Sequence, residues 1–287
     1  MTNLALPGNP RYQPKDLVPI FGYDNLARTL VEVELAALRT LADAAVITQE
    51  DIALLSPQAE EKLFVITTSE MDKLERAVTK HDIRALVRLM QEAMPVPLRR
   101  WVHVPLTSYD VVDTARTLQF VRAHYAVIRP KTRAVMECFL GQALRHADKV
   151  QVGRTHGQHA LPITVGFWFA TILSRVLFSV KEADRYAAGL VGKISGAVGA
   201  HNAQKGLGVT GRNGVVFEDA VLRRLGLAPA PISTQILPPE PLAYYLYACL
   251  MLSAAFGQFG RDGRHLMRTE IAELSEPFER EQVGSST

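Results

Sequence analysis

The stretch "ITVGFWFATILSRVLFSV", Ile163 to Val180, constrains this chain more than any other, because it is apolar nearly all the way round a helical wheel. Such a helix must be buried on most faces, either inside a protein bundle or in lipid. Arg175 lies within it, charged residues resume at Lys181, and no second segment of this kind is evident, so the reading is a helix inside a soluble bundle. That reading carries a demand. One helix with a broad apolar surface needs several others to cover it.

The sequence supplies them. From Asn25 to Ala45, Leu30, Val33, Leu35, Leu38 and Leu41 fall near one helical stripe, the pattern of an amphipathic helix. A second helix is expected over about Ser69–Ala93, and three long ones over Val111–Asp148, Pro162–Gly189 and Pro241–Leu274. Pro130 should kink or divide the first of these three. Alternating strand patterns are hard to find. The fold class expected is all-α: a small N-terminal helical domain, residues 1–105, then a long central helical bundle, residues 106–287. The boundary is placed at the proline-rich "MPVPLRRWVHVPLTSYD", where a helix cannot continue. Between the second and third long helices, "GKISGAVGAHNAQKGLGVTGRNG" is too glycine-rich to be regular and suits a loop that approaches a ligand or turns tightly. Bundle faces left uncovered by one chain point to oligomerisation.

Composition excludes several classes of partner. A net charge of +3 gives no basic footprint for nucleic acid. The N-terminus lacks the basic-then-apolar order of a signal peptide, and Cys138 and Cys249 make no CxxC pair, so buried, reduced thiols in a cytoplasmic protein are expected.

Three polar clusters could carry chemistry. Gly153 to His159, "GRTHGQH", offers close backbone approach, hydrogen-bonding side chains and an imidazole that titrates near neutrality. It reads equally well as a capping turn with solvated histidines. Thr107-Ser108-Tyr109-Asp110 reads first as an N-cap, and second as a place where free helix amides and hydroxyls hold a carboxylate or phosphate. Gly284-Ser285-Ser286 reads as a chain end.

Taken in order, these segments resemble the signature regions of the fumarase/aspartase superfamily of lyases, most closely its adenylosuccinate lyase branch. "LTSYDVVDTA" is similar to that branch's TSxDVVDTA region, "GRTHGQHALPITVG" to its GRTHGQ region, and "RTEIAELSEPFEREQVGSST" to the approach to its GSSxMPxKxNP loop. "KISGAVG" (193–199) and "STQ" (233–235) add matches, and the resemblance runs from Arg11 to the last residue. It implies elimination of fumarate from a succinyl-amino nucleotide, a small-molecule substrate, with no metal and no redox cofactor. Ser285 is implied as the base and His156 as the acid for the leaving nitrogen. Arg11 and Tyr12 are implied to hold the nucleotide phosphate, and "TKHDI", with Lys80, His81 and Asp82, to be a further binding segment. His103, Thr107 and Ser108 would hold succinyl oxygens, Gln235 would hydrogen-bond substrate, and Ser286 would assist binding. His159 is read as structural, and His124, His146, His201 and His265 as packing or solvent-facing.

The resemblance also implies a homotetramer whose active sites are shared between subunits, with no membrane or nucleic-acid partner. The chain departs from the pattern at Tyr109, where a small hydroxyl residue is usual, and at "ILPPEPLAYY", where prolines replace a charged segment. Those departures leave open a sister lyase with another substrate, argininosuccinate lyase-like or carboxymuconate cycloisomerase-like. The family's loop continues past GSSx to a lysine, an asparagine and further helices, so the C-terminal part is expected to be absent from this sequence and the 287 residues alone to be inactive. The alternative outside catalysis is a helical bundle that binds without turning over.

Overall fold

A computed structural model describes residues 10–284. The described residues form two compact units: 10–130 with 184–245, and 131–183 with 246–284. The architecture is all-α in character, with short strands added.

The first unit is built around the helix Tyr23–Asp43. Its stripe is buried as the periodicity requires, with Leu30, Val33, Leu38 and Leu41 at most 2% exposed. They share one core with Leu86 and Met90 of the helix Asp82–Ala93, Val111 and Leu118 of the helix Ser108–Ala123, and Phe217 and Val221 of the helix Phe217–Arg224. At about 25 cal/mol per Å² of apolar surface removed from water, such faces dominate the stability of this unit.

The helix expected over Ser69–Ala93 is interrupted. Thr68–Leu74 widens into a π-turn at Glu75–Thr79, and Lys80 takes a left-handed conformation (φ 53°) before Asp82–Ala93 begins. The break lifts Lys80 and His81 out of a helix and onto a corner. Near Pro130 the first long helix is divided, the second of the two expected outcomes. The helix Ser108–Ala123 passes through a π-turn at His124–Ile128 into the helix Arg129–Arg145. The wider turn just ahead of the proline relieves the clash its ring would make with the preceding turn.

In the second unit the helix expected from Pro162 begins at Val165, because Pro162 belongs to a strand. Strands Val150–Thr155 and Gln158–Thr164 pair antiparallel. This hairpin is the main correction to the strand-free expectation, and its alternation is hidden by glycines and a proline. Phe139, Trp168, Phe169 and Phe259 pack as an aromatic cluster with ring centroids 4.7–6.0 Å apart. The Trp168 indole donates to Asp262 at 3.1 Å.

Two further expectations are corrected. Cys138 is exposed and Cys249 half-buried, so neither thiol is fully buried. Among the described residues, the helix long and apolar enough to cross a membrane by length and composition is Glu240–Leu266, a second apolar segment where none was expected, and only 22% of its most apolar window is buried within the chain.

Candidate active site

In the first unit the motif "TSYD" caps the helix Ser108–Ala123. The Asp110 carboxylate reaches back to accept the Thr107 N–H at 2.9 Å, as the Thr-x-x-Asp spacing allows. Asp110 is fully buried and does more than cap. It accepts the Gly196 N–H at 3.1 Å and the ammonium of Lys193, itself fully buried. The Thr114 hydroxyl donates to the Lys193 carbonyl at 2.9 Å and accepts the Lys193 N–H at 3.1 Å. Glu218 accepts the Ile194 N–H at 2.7 Å, and the Gln204 amide donates to the Ile194 carbonyl. Burial pushes the Glu218 carboxyl above its usual range, against the lowering effect of that backbone bond. The loop "KISGAVG" is thus fastened to the start of the TSYD helix by polar groups that almost all have partners.

Beside that helix start, the Ser108 hydroxyl lies 3.3 Å from His81 Nε2, and His81 Nδ1 lies 3.0 Å from Asp82 Oδ1. A proton on Nδ1, donated to Asp82, leaves Nε2 to accept from Ser108. Ser108, His81 and Asp82, 27 residues apart in sequence at the Ser108–His81 contact, therefore meet at the amino end of a long helix. Its free amides favour an anionic group. Lys80 is exposed and folds its ammonium back onto the Arg76 carbonyl. His103 has φ 69° and is tied to the buried Glu34, which accepts both its N–H at 3.1 Å and its ring Nδ1 at 2.6 Å. Arg11 and Tyr12 form an exposed 3-10 turn, and Gln235 is exposed on an irregular segment.

In the second unit His156 sits at the tip of the hairpin. His156 (φ 55°) and Gly157 (φ 71°) are its two loop residues, the backbone combination that matches the twist of paired strands. A non-glycine residue held there is uncommon and marks a position worth explaining by function. Its imidazole is exposed and makes no hydrogen bond among the described residues. The strand behind it carries a bulge between Val152 and Arg154. A Cβ at Gly153 would lie 2.4 Å from the Leu161 carbonyl oxygen, so only glycine fits. Arg154 pairs with Glu273, with one contact at 3.0 Å, and Gln151 donates to the same carboxylate at 3.1 Å. The hydrogen bond from Arg154 holds the Glu273 carboxyl below its usual range. The GRTHGQ hairpin is thereby fastened to "TEIAELSE". His159, read as structural, is exposed on the wall of a cavity of about 740 Å³ shared with Arg154, Trp168 and His265. Ser285 and Ser286 lie outside the described residues.

Of the residues that hold these segments, Lys193, Glu218 and Glu273 were not singled out from the sequence, and Asp110 was named only within its N-cap cluster. Only Asp110 left a signal there, the Thr-x-x-Asp capping spacing.

Comparison with known proteins identifies the family. The profile of a family described as lyase matches residues 15–287. The adenylosuccinate lyase of Archaeoglobus fulgidus is 36% identical over 281 residues, covering 96% of this chain and 59% of the relative. That of Bacillus subtilis is 32% identical, covering 96% of this chain and 60% of the relative. The chain therefore spans about 60% of the length of these curated relatives. The crystal structure of a fumarate lyase from Mesorhizobium sp. BNC1 superposes with a TM-score of 0.80 at 24% identity, over 94% of this chain and 62% of that one. The 3-carboxy-cis,cis-muconate lactonizing enzyme from Pseudomonas putida superposes with a TM-score of 0.77 at 25% identity, over 91% of this chain and 58% of that one. With its fold, its three polar segments and a profile match along nearly its whole length, this chain belongs to the lyase family of the fumarase/aspartase superfamily.

Proposed function

We propose that the protein eliminates fumarate from adenylosuccinate, giving AMP, and from the succinylated aminoimidazole carboxamide ribotide of purine biosynthesis. The observation that carries this reading is the similarity to adenylosuccinate lyases along 96% of the chain. The meeting of Ser108, His81 and Asp82 at a helix start supports it. In this reading Thr107, Ser108 and His103 take the succinyl oxygens, Lys80, His81, Asp82 and Gln235 bind the remainder of the substrate with Ser286, and Arg11 and Tyr12 hold the phosphate. Ser285, as its alkoxide, removes the proton beside a carboxylate. The C–H electron pair becomes the new double bond of fumarate, the C–N pair leaves with the nitrogen, and His156 protonates that nitrogen. Electrons balance without an oxidant or reductant. Donors arranged around the second carboxylate stabilise the carbanionic charge.

The working form is a cytoplasmic homotetramer with sites completed between subunits. Exposed apolar side chains in the second unit support it: Phe178 is 71% exposed, Leu250 63% and Tyr247 59%, a surface that other copies of the chain would cover. A sister lyase is the second reading, favoured by one observation: Tyr109, 40% exposed, lines a cavity of about 290 Å³ with the proline-rich wall Ile236–Pro239. The test is fumarate release from adenylosuccinate, argininosuccinate and a carboxymuconate by the full-length protein. Turnover of adenylosuccinate alone supports the first reading, and preference for another substrate replaces it.

A further inference from the structure

Gln235 sits on a segment with almost no regular structure, and what holds that segment comes from elsewhere. On its amino side, Ser233 Oγ lies 2.6 Å from Ser195 Oγ of the KISGAVG loop. The Ser233 carbonyl oxygen presses so closely on Gly199 that a Cβ there would lie 2.0 Å from it. On its carboxyl side, the Leu237 N–H donates to Asp113 Oδ2 at 2.8 Å. Between these two anchors, among the described residues, the segment bonds only to itself, with the Thr234 N–H donating to the Ile236 carbonyl at 3.2 Å and the Ile236 N–H to the Thr234 hydroxyl at 3.4 Å. The Gln235 side chain is exposed and has no hydrogen-bond partner among the described residues.

The prolines make the carboxyl-side anchor singular. Pro238, Pro239 and Pro241 have no N–H to donate, so Leu237 offers the last backbone donor before Glu240. Pro238 also confines Leu237 to extended backbone, which fixes the direction of that N–H. Asp113 lies on the same face of its helix as Tyr109, one turn further from Thr107 and Ser108, so it connects the helix that starts the site to the segment that carries Gln235.

We propose that Asp113 is a positioning residue: by accepting the Leu237 N–H it sets where Gln235 is presented to substrate. The inference rests on the reading of Gln235 as a substrate contact.

The test compares Asp113→Ala, Asp113→Asn, Gln235→Ala and the Asp113→Ala/Gln235→Ala pair in the full-length protein, by amide hydrogen exchange and by steady-state turnover of adenylosuccinate. Asp113→Ala should speed exchange of the 233–237 amides while the core keeps its protection, and should raise KM by roughly 10-fold with kcat changed far less, as loss of one oriented polar contact does. Asp113→Asn retains an acceptor oxygen and should stay near wild type in both. The double variant should be no worse than Gln235→Ala alone, because the two residues act through one contact. Unchanged exchange in Asp113→Ala, faster exchange throughout the core, or additive effects in the double variant would each overturn the proposal. Absence of turnover in the wild type would instead sink the adenylosuccinate reading, and the exchange comparison would still decide whether Asp113 pins the segment.

Discussion

Replacing Lys193 by methionine tests the buried pair that joins the two glycine- and hydroxyl-rich segments of the first unit. The Lys193 side chain is 0% exposed and that of Asp110 1%. Methionine fills much of the same space, so the main loss is the positive charge, which leaves a carboxylate buried without its counter-ion. Breaking a buried pair from one side costs about 3–5 kcal/mol. Asp110 keeps two backbone donors, Thr107 at 2.9 Å and Gly196 at 3.1 Å, so the lower end of that range applies. About 3 kcal/mol at roughly 2–3 °C per kcal/mol lowers Tm by about 6–9 °C. Scanning calorimetry would measure it. Adding Asp110→Asn to Lys193→Met removes the stranded charge while an amide oxygen still accepts from a backbone donor, so the double variant should recover most of the loss. A Tm within about 2 °C of wild type for Lys193→Met, or a double variant less stable than the single, would refute this account of the loop.

Gly153→Ala should destabilise the second unit and lower activity by misplacing His156, since the new Cβ would meet the Leu161 carbonyl oxygen at 2.4 Å; circular dichroism melts and turnover would show both. Burial lowers the pKa of His124, despite the opposing hydrogen bond that its ring donates to Asp184. Below its usual value near 6.5 the unfolded chain therefore binds the proton more readily, and stability should fall as pH falls from about 7 toward 5. His124→Asn should flatten that part of the Tm profile. Glu218, whose pKa is raised by burial, gives the opposite sign: Glu218→Gln keeps an acceptor for the Ile194 N–H without the charge, and should be neutral or slightly stabilising at pH 7 by urea titration.

What could be read from the sequence was what depends on period and punctuation. The Leu30–Leu41 stripe and the long central helices follow from spacing alone. The hairpin bearing His156 did not, because a glycine bulge at Gly153 and a proline at Pro162 break the alternation that would announce it. The interruption at Lys80 was equally hidden, since no glycine or proline marks the left-handed residue. Candidate site residues could be named from their motifs, whereas most of the groups that fasten those segments could not. Lys193 and Asp110 are 83 positions apart, and nothing local in either segment declares that a lysine there is buried. The exposed Cys138 shows the converse: an apolar neighbourhood in sequence does not say which side of a helix a residue occupies.

The most direct test of the central claim is fumarate formation from adenylosuccinate by the assembled full-length protein, beside its His156→Ala variant. The account predicts AMP and fumarate in equal amounts from the wild type, and a loss of about 10²–10⁴-fold in the variant, the usual worth of a positioned proton donor. A folded tetramer that releases no fumarate would contradict the proposed reaction, and undiminished release by the variant would contradict the role of His156.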